Sequence, residues 1–445
     1  MSVLERTARL LDRAVAAAQP VVIGEVDEVR GLAVRVRGLP ARVGDLVHVG
    51  SGVTTVPAEV VSVATSPTGQ LATCLPLGPM SGIGAGDRVM TTGGSMTVPV
   101  GDALLGRVLD GLGRPMDGGP ALHDVTRVPM DEAPPNALTR DRVDVAMPLG
   151  IRALDTLVPL GRGQRMGIFA GSGVGKSSLL SMITRGTDAQ VTVLALIGER
   201  GREVREFLED DLGPEGLRNA VVVIATSDQP PMVRLRAAFV ATRIAESFRD
   251  TGRDVLLMMD SVTRLAAAQR EIGLSAGEPP TTRGYPPSVF AMLPQLLERA
   301  GAAATGSITG LYTVLVEGDD HNEPVADAVR SILDGHIVLD RRLANGGHFP
   351  AIDVLQSVSR VAGAVTDREQ RPLMQHARRL LAARHDVKDL VQMGAYVRGT
   401  NPDADAALLC WPALEAFLQQ DLADLTPAPV AWAQLRTAVG QEATT

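Results

Sequence analysis

RMGIFAGSGVGKSSLLSMIT, residues 165–184, runs from a short apolar stretch into a glycine-rich turn and then into an apolar helical stretch. Strand, loop and helix in this order make a phosphate-binding loop. Gly171, Gly173 and Gly175 let the backbone turn its N–H groups inward around phosphate oxygens, with Ser172, Val174 and Ser178 completing the cradle. The helix that follows adds its positive end. Lys176 is placed to reach the β- and γ-phosphates of ATP, and Ser177 to put its hydroxyl on Mg²⁺. The usual pattern has Gly where Ala170 stands, and Ala is tolerated there as long as the residue keeps φ negative. Among 43 basic residues only Lys176 and Lys388 are lysine. Lys176 has a reason to be one, because a compact ammonium suits this loop better than a planar guanidinium.

Outward from the loop, the chain divides into four parts. Residues 1–19 carry Leu4, Leu11, Val15 and Ala18 on one helical stripe among Arg and Glu, an amphipathic helix that either packs on its own domain or docks a partner. Residues 20–98 hold short β-rich runs such as VVIGEVDEV and LAVRVRG between Gly and Pro, which predicts a small β-barrel. Residues 99–365 open with a Gly- and Pro-rich passage, LGRVLDGLGRPMDGGPAL, read as a linker. Beyond it apolar strands alternate with helical stretches, as in a parallel α/β sheet. Residues 366–445 lose the β-signal, and REQRPLMQHARRLLAARHDVKDLVQM and DADAALLCWPALEAFLQQDLADL predict a helical C-terminal domain.

Composition narrows the function classes. A chain of 445 residues, 45% hydrophobic and 21% charged, is a multidomain globular protein. Its net charge of -8 argues against a surface built mainly for nucleic acid. Two cysteines, Cys74 and Cys410, make no disulfide framework, which points to a reducing compartment, the cytoplasm. The longest apolar runs, VVVIA from Val221 and VLLMM from Val255, are far shorter than the roughly 20 residues of a membrane span. The seven histidines have no metal-ligand spacing.

Two carboxylates turn the loop into a candidate hydrolase. DVLLMMDS reads as a buried strand ending in Asp260, the acid that helps hold Mg²⁺, partly through water. VTVLALIGERGREV reads as a second strand ending in Glu199. In a parallel sheet the strand C-termini gather on one edge, so both can face the loop. A carboxylate there can orient and deprotonate the attacking water. The competing reading of Glu199 is a surface ion pair with a neighbouring arginine.

LGRVLDGLGRPMDG, GIFAGSGVGKSSL, ALIGERGREV, DSVTRLAAAQREIGLSAGEPPTTRGYPPSVFAMLPQLLERAG and SVSRV resemble the rotary ATPase superfamily related to ATP synthase β subunits. Within it the chain is most similar to the flagellar and type III secretion export ATPases, from about residue 20 onward. The resemblance implies a central RecA-like ATPase domain between the barrel and the helical domain. It implies Glu199 as catalytic carboxylate, Arg200 near the γ-phosphate, Lys176 and Ser177 on phosphate and metal, and Asp260 as the metal-side acid. Phe349 falls where an aromatic stacks on adenine, its other reading being an ordinary core aromatic, and Tyr396 is a weaker match to a C-terminal aromatic at the nucleotide edge. Arg360 in SVSRV matches an arginine finger that reaches into the neighbouring subunit's site.

Because one chain resembles both the catalytic and the finger pattern, each subunit can complete its neighbour, and the family implies a homohexameric ring. It also implies a central-stalk protein at the C-terminal domain, a regulator on the N-terminal helix, substrate–chaperone complexes, an export gate, and a cytoplasmic location at the inner face of the membrane. The flagellar branch is favoured over virulence secretion. A hexameric RNA translocase of the termination-factor kind would need stacking aromatics in its barrel, and the chain has only two Trp, three Tyr and seven Phe in all. A non-catalytic nucleotide-binding subunit would usually lack the carboxylate that Glu199 supplies.

Overall fold

The computed structural model describes residues 22–50, 55–67, 69–122, 125–316 and 323–440. The amphipathic helix expected over residues 1–19 lies outside them. The chain divides into two compact units, one reaching to Met96 and taking in Leu274–Glu278, the other holding the rest.

In the first unit six strands, β1 (Ile23–Arg30), β2 (Ala33–Arg37), β3 (Asp45–Val49), β4 (Val56–Ser66), β5 (Gly69–Pro76) and β6 (Arg88–Ser95), close a barrel in the order β1-β2-β5-β4-β3-β6. Alternation does the sorting: Val34 and Val36 are wholly buried while Arg35 and Arg37 face out to Glu28 and Glu25, at 3.1 and 3.2 Å. Val26, Val47, Val60 and Cys74 fill the interior. Burial pushes the Cys74 thiol up to about 12, so it packs as an inert apolar group.

The second unit opens with a ribbon of β7 (Thr97–Val100) and β9 (Thr126–Pro129), between which comes β8 (Arg107–Asp110). The passage read as a linker therefore supplies a strand: β8 pairs in parallel with β12 (Ala220–Ala225) and forms one edge of the main sheet. Four residues flanked by glycines are too short to give a strand pattern. The other strands are β10 (Arg165–Ala170), β11 (Val191–Ile197), β13 (Asp254–Asp260), β14 (Gly301–Ala302), β15 (Ser307–Leu315), β16 (Gly335–Leu339) and β17 (Ile352–Ser359). Their order is β17-β16-β10-β15-β13-β11-β12-β8, parallel except for the edge strand β17, with β14 antiparallel beside β15. All seven residues of β11 and all six of β12 are buried, as a parallel sheet covered on both faces requires. The helix Pro231–Arg249 covers β11, β12 and β13.

After β17 the described residues are helical, with Gln370–Gln392, Pro402–Leu418 and Ala428–Ala438 as the main elements. The second begins with Asn401 as its cap, the side chain accepting from the N–H groups of Asp403 and Ala404, and with Pro402 at a position that needs no N–H. Leu373, Leu380 and Leu414 of these helices share one apolar core with Leu154, Leu157 and Ile337 of the sheet unit.

Candidate active site

The loop between β10 and the helix Lys176–Gly186 has Gly173 at φ 75° and Gly175 at φ 88°, both in the left-handed region that favours glycine. Ala170 is a fully buried residue at the end of β10 and its φ is negative, as Arg283 is the only non-glycine with positive φ among the described residues. Gly171 and Val174 are buried, while Ser172 in the loop and Ser177 and Ser178 at the helix start are exposed.

Lys176 Nζ sits between two carboxylates, donating to Asp260 and lying 3.5 Å from Glu199 Oε1. All three side chains are largely covered. Asp260 ends β13 as the pattern implied. The strand β11, however, stops at Ile197, and Gly198 with φ 72° turns the chain so that Glu199 reaches back to the lysine. Burial raises the Glu199 carboxyl above its usual range; the Lys176 charge opposes this and the Asp260 charge reinforces it. A carboxylate with raised proton affinity beside a phosphate loop suits a general base.

The other expected residues lie around this centre. A Cβ at Gly175 would be 3.4 Å from the Phe349 ring, so that aromatic lies against the loop while staying 46% exposed. An open ring at this place is unlike a core phenylalanine. Arg200 starts the helix Gly201–Glu206 and is exposed, with its guanidinium 2.8 Å from Glu203. The Tyr396 hydroxyl is engaged with Asn401 and Asp405 of the C-terminal helices, and its bonds do not lead to the loop.

Arg360 follows β17 and is exposed, its guanidinium without a partner among the described residues. The register puts it at the far edge of the sheet. Ser359 pairs with Gly335, and β16 runs parallel to β10 from His336 opposite Gly167 to Leu339 opposite Ala170. Arg360 is thus level with Arg165 at the start of β10, whereas the loop leaves its end at Ala170, roughly 16 Å of strand away. Loop and finger candidate of one chain lie on opposite edges of the same sheet.

Several residues that support this site have no signature in the sequence. The Thr313 hydroxyl, wholly buried on β15, donates to Asp260 Oδ1 at 2.6 Å. Arg264, on the helix Val262–Ser275, packs over Gly198 so closely that a Cβ there would be 2.9 Å from its own Cβ, and its charge favours ionised Glu199. At the far edge, the Arg360 N–H donates to the Asp334 carbonyl at 3.0 Å. Arg165 at the start of β10 holds the Asp334 carboxylate, and buried Gln164 reaches Ser359 Oγ at 3.1 Å. These partners are distant in sequence and meet only because strands pair.

No group of three or more His, Cys, Asp or Glu among the described residues could hold a metal ion by itself. Mg²⁺ takes one or two protein oxygens and completes its shell with phosphate and water, and the Ser177 hydroxyl and the Asp260 carboxylate are oxygen donors of that kind. Among the described residues no helix is long and apolar enough to cross a membrane.

Comparison with known proteins matches residues 150–359 to the ATP synthase alpha/beta family, nucleotide-binding domain, and residues 366–437 to the T3SS EscN ATPase C-terminal domain. The chain is 50% identical over 400 residues to the flagellum-specific ATP synthase of Bacillus subtilis, covering 89% of this chain and 90% of that one. It is also 50% identical over 399 residues to the type 3 secretion system ATPase of Xanthomonas euvesicatoria, covering 89% of each. The assembled ATPase EscN of the enteropathogenic E. coli type III secretion system, solved in complex with its central stalk EscO, superposes with a TM-score of 0.87 at 44% identity. That match covers 94% of this chain and 100% of EscN.

Proposed function

The chain belongs to the family of flagellum-specific and type 3 secretion ATPases within the ATP synthase alpha/beta family, it is an ATP-hydrolysing enzyme, and from that premise we propose how its residues divide the work. The contact of Lys176 with both Glu199 and Asp260 is the observation that carries the reading. The N–H groups of Gly171 to Ser178 cradle the phosphates of ATP, and Lys176 sets its charge on the β- and γ-phosphates. Phe349 takes the adenine on its open face. Glu199 orients a water in line with the γ-phosphorus and accepts its proton, and its raised proton affinity supports this role. Arg200 swings from Glu203 toward the γ-phosphate. Ser177 and Asp260 hold Mg²⁺, which when bound neutralises phosphate charge. Tyr396 is a peripheral nucleotide contact at most, since its hydroxyl is bound to its own domain.

Arg360 acts on the neighbouring subunit. Its place on the sheet edge opposite its own loop supports a shared site, and a head-to-tail contact of that kind closes into a homohexameric ring. In this reading the ring energises or prepares unfolded substrates for flagellar export, in the cytoplasm at the inner face of the membrane. The C-terminal helices meet a central stalk and substrate–chaperone complexes, residues 1–19 meet a restraining regulator, and the ring faces an export gate. Nucleic acid is not a partner, in line with the net charge of -8.

The test is steady-state ATPase activity against protein concentration, with mass measured on the same samples with and without Mg²⁺-ATP. Specific activity should rise steeply as the ring appears. Constant activity in a monomer would remove Arg360 from the mechanism and the ring with it.

A further inference from the structure

The main chain of Phe349 is held by the C-terminal helical segment. Gln420, which is 5% exposed just past the helix Pro402–Leu418, donates its N–H to the Phe349 carbonyl at 2.8 Å. Its side chain makes three further bonds, all to backbone. Oε1 accepts from the Arg152 N–H at 2.9 Å, and Nε2 donates to the carbonyls of Gly150 at 2.8 Å and Asp424 at 2.6 Å. A glutamine amide has two N–H donors and an acceptor oxygen, and both donors and the oxygen are engaged here.

The segment around Gln420 is gripped from both sides of the nucleotide-binding core. Arg152 reaches the Phe417 carbonyl at 2.9 Å, the Gln419 carbonyl, and the Asp424 carboxylate at 2.8 Å. Arg185, in the last turn of the helix that begins at Lys176, donates to the Leu422 carbonyl at 2.6 Å. Gln419 lies 3.4 Å from Nδ1 of His348, the residue before Phe349, and burial lowers the proton affinity of that imidazole and so favours its neutral form.

We infer that Gln420 is a positioning residue for nucleotide binding: by tying the segment Gln419–Asp424 to Phe349 and to the chain at Gly150–Arg152, it sets the height of the aromatic over the loop. Displacement of the C-terminal helices is thereby delivered directly to the base-binding end of the site, whereas the link to the loop's helix, through Arg185, is made in its last turn, away from Lys176. The inference rests on Phe349 as the adenine platform. It assigns Gln420 no contact with nucleotide.

The experiment compares two ligands of the intact chain by calorimetry, ATP and inorganic tripolyphosphate, which shares the phosphates and lacks the base. Gln420→Ala should weaken ATP binding about tenfold and leave tripolyphosphate binding within about twofold of the parent. Phe349→Ala should do the same, and the double variant should be no weaker than the worse single one. Arg152→Ala loosens the same segment without touching Gln420, so it gives the same selective loss if Gln420→Ala does not fold. An equal loss for both ligands, additive losses in the double variant, or unchanged ATP affinity in both Gln420→Ala and Arg152→Ala would overturn the coupling while Phe349→Ala still shows the platform. Unchanged ATP affinity in Phe349→Ala would instead remove the platform reading, and the coupling with it.

Discussion

Replacing Thr313 by Val tests whether the buried strand beside β13 tunes the acid of the site. The hydroxyl is wholly buried and donates to Asp260 Oδ1 at 2.6 Å, so its loss leaves the carboxylate with Lys176 as its remaining side-chain partner among the described residues. Valine has nearly the same shape, and the packing of β15 should survive. A hydrogen bond to a charged group contributes about 1.5–3 kcal/mol, which at about 1.4 kcal/mol per decade is about 10- to 100-fold. The lower end applies here, because the ammonium of Lys176 can move to compensate. In Mg²⁺ titrations of steady-state ATPase activity, Thr313→Val should raise the half-saturating Mg²⁺ concentration about tenfold. Thr313→Ser, which keeps the donor, should stay close to the parent. Wild-type Mg²⁺ dependence in Thr313→Val, or a lowered melting temperature with unchanged Mg²⁺ dependence in both variants, would refute the reasoning and leave Thr313 as a packing residue.

Glu199→Gln should keep nucleotide binding nearly intact and abolish turnover; full hydrolysis by that variant would remove Glu199 as base. In the parent, the raised proton affinity of Glu199 should make kcat fall on the acidic side at a higher pH than an ordinary carboxylate would give. Arg360→Ala should lower the rate by about 10³-fold. Mixing it with Lys176→Ala subunits should restore part of the activity, since sites then form from an intact loop and an intact finger, and a mixture with none would contradict the shared site. Asp155, buried in the helix Arg152–Leu157, is raised to about 7, chiefly by burial. The folded state therefore binds a proton that the unfolded state has released above roughly pH 4. Its contribution to stability is full below that pH and is lost as pH rises through about 7, so Asp155→Asn should flatten the fall in melting temperature between pH 5 and 8.

The centre of the site was legible because its chemistry is written locally. The spacing of Gly171, Gly173, Gly175, Lys176 and Ser177 is a backbone requirement, and Asp260 closes an apolar run that only a covered parallel sheet can accommodate. Glu199 was legible as a carboxylate at a strand end, but the Gly198 turn that aims it was not, since a lone glycine does not announce its φ. Thr313, Arg264 and Gln164 were hidden for a different reason. Each acts on a residue from a distant stretch of chain, and strand order rather than spacing brings them together. The barrel was legible from its short alternating runs, while the order β1-β2-β5-β4-β3-β6 depends on closure and has no local sign. The edge strand β8 was missed because four residues between glycines carry too little pattern.

The strand β10 carries the phosphate loop at one end and, at the other, Arg165, whose grip on Asp334 steadies the backbone of Arg360. If Arg360 serves the next subunit as proposed, this strand is a stiff beam with a loading point at each tip, one for its own subunit and one for its neighbour. In a closed ring such beams would follow one another around the rim like the links of a drive chain. Tension taken up at one loading point would advance or retard the next link.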